Sequence, residues 1–128
     1  MMAVLADTSV WIDYFQGGEN SGLMDQLIDE NITVTNDIIL AELLPYLMLK
    51  QQNKVIYLLK EISKIELKPD WNEIIEIQHK CLQNGINGIG IPDLIIAQNA
   101  KQNGAQLYTL EKHFGLLTEI AGIEIIKD

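Results

Sequence analysis

The stretch Val4-Leu5-Ala6-Asp7-Thr8-Ser9-Val10-Trp11 begins with a short apolar run, which is followed by the three polar residues Asp7, Thr8 and Ser9. An apolar run of this length predicts a buried β-strand, and Asp, Thr and Ser are residues that commonly cap a following helix. The apolar side chains of Val10, Trp11, Tyr14 and Phe15 then continue on a helical pattern. The chain therefore opens with a strand followed directly by a helix, which is the repeating unit of an α/β fold.

The same alternation continues along the chain. Further apolar runs predict strands at 32–35, 107–110 and 123–126, while 65–67 is either a short strand or a connector. Helical patterns fill the intervals, beginning at Ser21 and then covering about 36–50, 55–62, 71–82, 92–104 and 112–121, with Pro45 expected to bend or divide the second of these. This order predicts an α/β fold of three layers, α/β/α, with a central, mainly parallel sheet of four to five strands.

Composition limits the classes of protein to consider. At 128 residues and 48% hydrophobic, residues 1–128 are expected to form one domain. Nine lysines, no arginine and eighteen acids give a net charge of −9, which argues against general coating of nucleic acid. A lone cysteine, Cys81, requires no oxidising compartment, and neither a signal peptide nor a transmembrane stretch is evident, so we expect a cytoplasmic protein without membrane contact.

Four acids stand out by position: Asp7, Glu42, Asp93 and Glu111 each lie at a predicted strand end or in an otherwise apolar helix. The carboxyl ends of parallel strands meet at the edge of a sheet where ligands bind, so the four can converge there. Carboxylate oxygens are the ligands that Mg²⁺ and Mn²⁺ prefer, and bound ions would locally reverse the negative charge. The group predicts a hard-metal site, and phosphodiester hydrolysis is chemistry that such sites serve.

Each acid also has a structural explanation when it is taken alone. Asp7 fits a helix cap, and Asp93 and Glu111 fit the acids that complement a helix dipole in the first turn. Glu42 is the sole charged side chain between residues 38 and 49, where it is either a ligand or part of an exposed stripe. The prediction of a site therefore rests on all four acids taken together.

The remaining polar residues give weaker indications. His79 fits a surface residue, His113 is a weak candidate for phosphate contact, and Cys81 fits the core. These three have no close metal-binding spacing, so a zinc site is not expected. Five lysines between residues 50 and 68 indicate a solvated helical face rather than an RNA track.

Four segments together resemble a known family. Leu5-Ala6-Asp7-Thr8-Ser9-Val10-Trp11-Ile12-Asp13 resembles the opening of the PIN domain, in particular that of the VapC-type toxins. Leu40-Ala41-Glu42-Leu43 resembles its second acidic motif, Ile91-Pro92-Asp93-Leu94-Ile95-Ile96-Ala97 its third, and Leu107-Tyr108-Thr109-Leu110-Glu111-Lys112-His113-Phe114 its fourth. The resemblance runs from Val4 to about Ile126.

The resemblance implies a PIN-like fold and a site. Asp7, Glu42, Asp93 and Glu111 would be the metal-binding and catalytic quartet, with Thr8 as a supporting hydroxyl. The implied activity is that of a Mg²⁺-dependent endoribonuclease, with Mn²⁺ as the other candidate ion, whose products carry a 5′-phosphate and a 3′-hydroxyl. The chain departs from the family where Glu111 replaces the more usual Asp, and where it has no arginine to hold RNA.

The resemblance also implies partners: an RNA substrate, a cognate antitoxin whose segment blocks the acidic groove, and a second copy in a homodimer. The apolar residues at 43–49 exceed what one helix stripe can bury, so some are candidates for a subunit contact. Two other functions are to be weighed: a PIN-like domain that binds a partner without cleaving RNA, and a receiver-type phosphoacceptor domain. The second lacks the paired acids expected after the first strand, because Asp7 is followed by Thr8 and Ser9.

Overall fold

The computed structural model describes residues 2–126, which form five short strands and seven α-helices. The strands are β1 (Val4–Ala6), β2 (Thr33–Thr35), β3 (Ser63–Lys64), β4 (Gln106–Tyr108) and β5 (Ile125–Ile126). The helices are α1 (Thr8–Phe15), α2 (Ser21–Asp29), α3 (Asp37–Leu49), α4 (Asn53–Glu61), α5 (Trp71–Gln83), α6 (Ile91–Gln102) and α7 (Leu117–Ala121). A 3-10 helix, Lys112–Leu116, lies directly before α7.

The strands make one sheet in the order β3-β2-β1-β4-β5, and every neighbouring pair is parallel. Leu5 in the centre of β1 pairs with Val34 of β2 on one side and Leu107 of β4 on the other. All three residues of β1 and of β2 are buried, which requires cover on both faces of the sheet. The predicted three-layer α/β/α fold with a central parallel sheet is confirmed.

The core lies between this sheet and the helices. Its largest fully buried side chains are Trp11, Tyr108, Phe114, Leu5, Met24, Ile39, Leu59, Ile74, Leu94, Ile96, Leu107 and Leu117. Cys81 is also fully buried, as the sequence predicts, and burial raises the pKa of its thiol. Among residues 2–126, no helix is long and apolar enough to cross a bilayer.

Helix α3 carries the second acidic motif and continues through Pro45. Of the two effects predicted for this proline, a bend or a division, the division is therefore wrong. A proline removes one hydrogen bond of the helix ladder. Burial of Ile39 and Leu43 before it and of Leu47 after it holds both halves of the helix against the core. The stretch that presents Glu42 is therefore one continuous element.

The edge strand β3 lies at Ser63–Lys64, just before the predicted segment 65–67, which serves as a connector. Both residues of β3 are exposed and polar, so the strand lacks the apolar run that marks the other strands. The backbone N–H of Ile65 still donates to the carbonyl of Thr35 at 2.8 Å, which extends the ladder by one bond. A lysine on an edge strand also discourages pairing with another sheet.

The strand order reverses direction at β1, because β2 follows β1 on one side and β4 is added on the other. In an open parallel sheet, a crevice forms beyond the carboxyl ends of the strands at such a point. The backbone N–H of Asp7 donates to the carbonyl of Tyr108 at 3.0 Å, which holds the ends of β1 and β4 together. Residues that directly follow these two strands therefore share one edge.

Candidate active site

Asp7 lies at the base of the site, at the end of β1, with 3% of its surface exposed. Its Oδ1 accepts hydrogen bonds from the Ser9 hydroxyl at 2.6 Å and from the backbone N–H of Val10 at 3.2 Å. Its Oδ2 accepts from the hydroxyl of Thr109 at 2.5 Å. Asp7 is thus the N-cap of α1, as its structural explanation predicts, and at the same time a wall of the pocket described below.

Burial raises the pKa of Asp7 above its ordinary value of 3.8. The hydrogen bonds from Ser9, Thr109 and Val10 act in the opposite direction, and the nearby charge of Glu111 adds to the increase. Desolvation is the larger effect, so the negative charge of Asp7 is costly in the protein alone. A cation in contact with this carboxylate would offset that cost.

Ser9 and Thr109 connect the residues after β1 to those after β4. The Ser9 hydroxyl oxygen accepts from the backbone N–H of Leu110 at 3.0 Å, and the Thr109 hydroxyl oxygen accepts from the backbone N–H of Glu111 at 3.0 Å. Each hydroxyl donates to Asp7, so both hold its carboxylate in place while fixing the turn that carries Glu111. Thr109 has no predicted role in the sequence, although its position next to a predicted strand end was a usable signal.

Glu42 of α3 is exposed, whereas Ile39, Leu43 and Leu47 of the same helix are buried. Its Oε1 accepts a hydrogen bond from the hydroxyl of Thr8 at 2.8 Å. Glu42 is therefore exposed, as one of its two predicted explanations requires, and it also lines the pocket described below. Thr8, the predicted supporting hydroxyl, therefore holds the carboxylate of Glu42 through this hydrogen bond.

Asp93 and Glu111 both contact the same histidine side chain, His113. Asp93 is in the first turn of α6, and its Oδ2 lies 3.2 Å from Nε2 of His113. Glu111 precedes the 3-10 helix, and its Oε2 lies 3.5 Å from Nδ1 of the same ring. His113, which the sequence marked only as a weak candidate for phosphate contact, lies between the third and fourth acids.

One small cavity of about 160 Å³ collects the predicted residues. Its walls are Asp7, Thr8, Ser9, Ile12, Glu42, Asp93, Ile96, Glu111 and Phe114. All four predicted acids and the supporting Thr8 therefore line the same pocket, at the edge where β1 and β4 end.

The four carboxylates do not form a preformed cage. Within residues 2–126, no group of three or more His, Cys, Asp or Glu side chains is arranged to hold an ion directly. Hydroxyl or imidazole groups of the protein contact each of the four carboxylates instead. The donor set itself fits a hard divalent cation, since it consists of carboxylate and hydroxyl oxygens in one pocket.

The fold and the pocket define a class: a parallel α/β domain with acids gathered where the strand order reverses. The match to the PIN domain family covers residues 4–119. The chain belongs to the PIN domain family, which confirms the resemblance of its four acidic motifs and removes the receiver-type alternative. A search of curated proteins found no match.

Solved structures similar to this chain have low sequence identity and nearly complete coverage. DNA-bound VapBC from Salmonella typhimurium is 18% identical with a TM-score of 0.77, and 98% of each chain is covered. VapBC2 from Rickettsia felis, bound to a DNA fragment from their promoter, is 19% identical with a TM-score of 0.76 and the same coverage. FitAcB from Neisseria gonorrhoeae is 20% identical with a TM-score of 0.70, covering 97% of this chain and 96% of that one. These likenesses establish a shared fold.

Proposed function

We propose that this chain is a metal-dependent endoribonuclease, the VapC-type toxin of a toxin–antitoxin system. The observation that carries the proposal is that Asp7, Glu42, Asp93 and Glu111, far apart in sequence, line one pocket at the switch point of the sheet. Membership in the PIN domain family and the fold shared with VapBC structures support the same function.

Asp7 and Asp93 would be the principal ligands of Mg²⁺ or Mn²⁺. Glu42, held by Thr8, would bind a second ion or orient the attacking water, and Glu111 would complete the set through water. Such an ion supplies polarisation of the phosphate and a lower pKa for water. The chain contributes the fixed positions of its carboxylates, because Ser9 and Thr109 hold Asp7 against rotation before substrate arrives.

The activity is tested by incubating structured and unstructured RNAs with Mg²⁺, with Mn²⁺ and with a chelator, and by identifying the ends of the products. We expect cleavage only with metal, leaving a 5′-phosphate and a 3′-hydroxyl. Asp7→Asn and Asp93→Asn should each fold and lose activity, whereas Asp29→Asn, which removes an exposed carboxylate of α2, should cleave normally. Full activity in either pocket variant would contradict the assignment.

A domain that binds without cleaving is the second candidate, favoured by the net charge of −9 and by Glu111 in place of Asp. Calorimetry with Mn²⁺ separates the two functions. No binding by the parent protein would favour the inactive domain, and binding that is lost in Asp93→Asn would favour the nuclease.

The proposed antitoxin partner has a candidate surface beside the pocket. A groove of about 330 Å³ between α1, α3 and α4 is lined by Ile12, Phe15, Gln16, Leu43, Tyr46, Leu47, Lys50, Gln52 and Val55. Ile12 also lines the acidic pocket, so the groove lies next to the pocket. We infer that an antitoxin segment places apolar side chains in the groove and a basic side chain among the acids. Tyr46→Asp should weaken inhibition by co-expressed antitoxin while leaving RNA cleavage intact.

We also infer a homodimer and a cytoplasmic location, with residues 1–128 as one domain around one core. At the end of α3, Met48 is 57% and Leu49 is 77% exposed, and these side chains support a contact between two copies. Sedimentation equilibrium should give twice the chain mass for the parent and the mass of one chain for Leu49→Glu. An unchanged mass in the variant would remove this surface from the interface.

A further inference from the structure

We infer that His113 is a positioning residue that holds Asp93 and Glu111 in the orientation in which they bind the metal ion. This inference rests on the proposed function, and it adds a residue whose removal should act on metal affinity. It begins from one ring whose two nitrogens lie 3.2 Å from Asp93 Oδ2 and 3.5 Å from Glu111 Oε2.

The His113 ring contacts two carboxylates of the pocket without itself lining the pocket. Asp93, Glu111 and Phe114 line the cavity, whereas His113 is absent from its walls within the described part of the chain. His113 contacts one oxygen of each acid, Oδ2 of Asp93 and Oε2 of Glu111, which leaves the second oxygen of each for a ligand. The contact with Asp93 is a hydrogen bond, and the contact with Glu111 is an ion pair when the imidazole is protonated. Carboxylates that bind metals are commonly oriented by outer contacts of this kind.

The position of His113 is itself fixed. Its ring packs against that of Phe114, with centroids 4.7 Å apart and planes inclined by 31°. Phe114 is 1% exposed and belongs to the core, so the short 3-10 helix anchors the histidine next to the acids. Because the imidazole packs against this buried ring, fewer rotamers are open to it, so making these contacts costs less side-chain entropy.

The length and exposure of the Glu111 side chain explain why it needs a contact that orders it. Its side chain is one methylene longer than the Asp that is more usual at this motif, and 52% of it is exposed. A longer exposed side chain samples more rotamers, so ordering it for metal binding costs more entropy. The contact with His113 restricts that sampling and keeps Glu111 on the same side as Asp93.

The test is calorimetric titration of Mn²⁺ at one fixed pH into the wild type, His113→Phe, His113→Gln and His79→Phe. We expect His113→Phe, which keeps a ring and removes both nitrogens, to weaken Mn²⁺ affinity by about 10-fold or more. His113→Gln retains an N–H donor and should recover part of that loss. His79→Phe changes an exposed histidine of α5 and should bind Mn²⁺ like the wild type.

A double-mutant cycle separates positioning from general destabilisation. If His113 acts through Glu111, then His113→Phe should cost less affinity in a Glu111→Gln background than in the wild type. Equal losses in both backgrounds, or a His113→Phe affinity within about twofold of the wild type, would overturn the positioning role of His113. Either result would leave the proposed function standing. Absence of Mn²⁺ binding by the wild type would overturn the proposed function and this inference with it. Thermal unfolding in chelator checks that each variant is folded. If His113→Phe is not folded, the Mn²⁺ affinity of His113→Gln is compared with that of the wild type instead.

Discussion

At the scale of single residues, Asp7 combines two roles that oppose each other. It caps α1 and anchors a hydrogen-bond network, yet its charge is buried at the base of a pocket with three other acids. The raised pKa of Asp7 expresses the cost of that charge, because burial disfavours the ionised form of the carboxyl group. Under the proposed function, this loss of stability in the metal-free fold would be offset when a cation binds the carboxylate.

We therefore expect Asp7→Asn to stabilise the metal-free protein at neutral pH and to raise its Tm, because the amide carries no charge to desolvate. Because the folded-state pKa is raised, the folded state binds the proton more tightly than the unfolded state does. The corresponding stability is present below the ordinary value of 3.8 and is lost as pH rises through the raised pKa. Thermal unfolding in chelator across this range should show that loss in the wild type and a flatter profile in Asp7→Asn. A lower Tm for the variant at neutral pH would show that the hydrogen bonds outweigh desolvation.

A second prediction at this scale compares two threonines. Thr109→Val removes a hydroxyl that bonds both Asp7 and Glu111, so it should cost about 1 to 2 kcal/mol. Thr35→Val is a matched control, because the buried hydroxyl of Thr35 has no hydrogen-bond partner within residues 2–126. That change should be neutral or stabilising. Urea denaturation measures both, and equal losses would show that the Thr109 network contributes nothing specific.

At the scale of elements, the position of α3 relative to α6 determines whether Glu42 and Asp93 can act together. Asn36 caps α3 through the backbone N–H of Ile39 at 3.0 Å, and its amide donates to Asn99 Oδ1 of α6 at 2.8 Å. Asn99 in turn donates to the carbonyl of Glu66 at 3.0 Å. This buried amide pair connects the helices that carry the second and third acids.

Asn99→Ala should consequently destabilise the protein by about 2 to 3 kcal/mol, because it leaves the buried amide of Asn36 and a carbonyl without partners. Gln102→Ala is the control on the same helix, since Gln102 is exposed and its side-chain amide donates to the carbonyl of Lys68 at 3.0 Å. Chemical denaturation should show a loss below about 0.5 kcal/mol for the control. A similarly small loss for Asn99→Ala would mean that the pair does not hold the two helices.

The elements also show which features the sequence could predict. The strand at Val4–Ala6 and the helix after it follow from an apolar run and a polar cap, and the structure has both at the predicted positions. Ser63–Lys64 could not be recognised as a strand because both residues are polar and exposed at the sheet edge. The contacts of His113 were equally hidden, since they depend on a 3-10 helix that brings its ring back toward α6. Local patterns predict elements well, whereas contacts between distant side chains need the packed fold.

At the scale of the whole molecule, electrostatics is the main obstacle to the proposed function. A net charge of −9 repels RNA, and the four pocket acids add to that repulsion at the place where a phosphate must approach. Exposed charges farther than about 10 Å are largely screened at about 0.1 M salt, so the pocket charges should matter more than the total. Divalent cations in the pocket would reverse the local sign.

We expect Asp7→Asn combined with Asp93→Asn to bind RNA severalfold more tightly than the wild type in chelator. The control is Asp29→Asn combined with Glu30→Gln, which neutralises two exposed acids of the eighteen and gives the same net charge of −7 as the pocket variant. Fluorescence anisotropy with a labelled RNA at about 0.1 M salt compares the three proteins. Equal gains in both variants would mean that total charge, and not the pocket, governs RNA affinity.

The function proposed for this protein depends on acids distant in sequence forming a divalent-cation site at the edge where β1 and β4 end. Anomalous diffraction from crystals of the protein soaked in Mn²⁺ tests that site most directly. We predict a strong anomalous peak in the pocket lined by Asp7, Glu42, Asp93 and Glu111, and no such peak in crystals of Asp93→Asn. Well-diffracting wild-type crystals with no Mn²⁺ peak in that pocket would contradict the existence of the site.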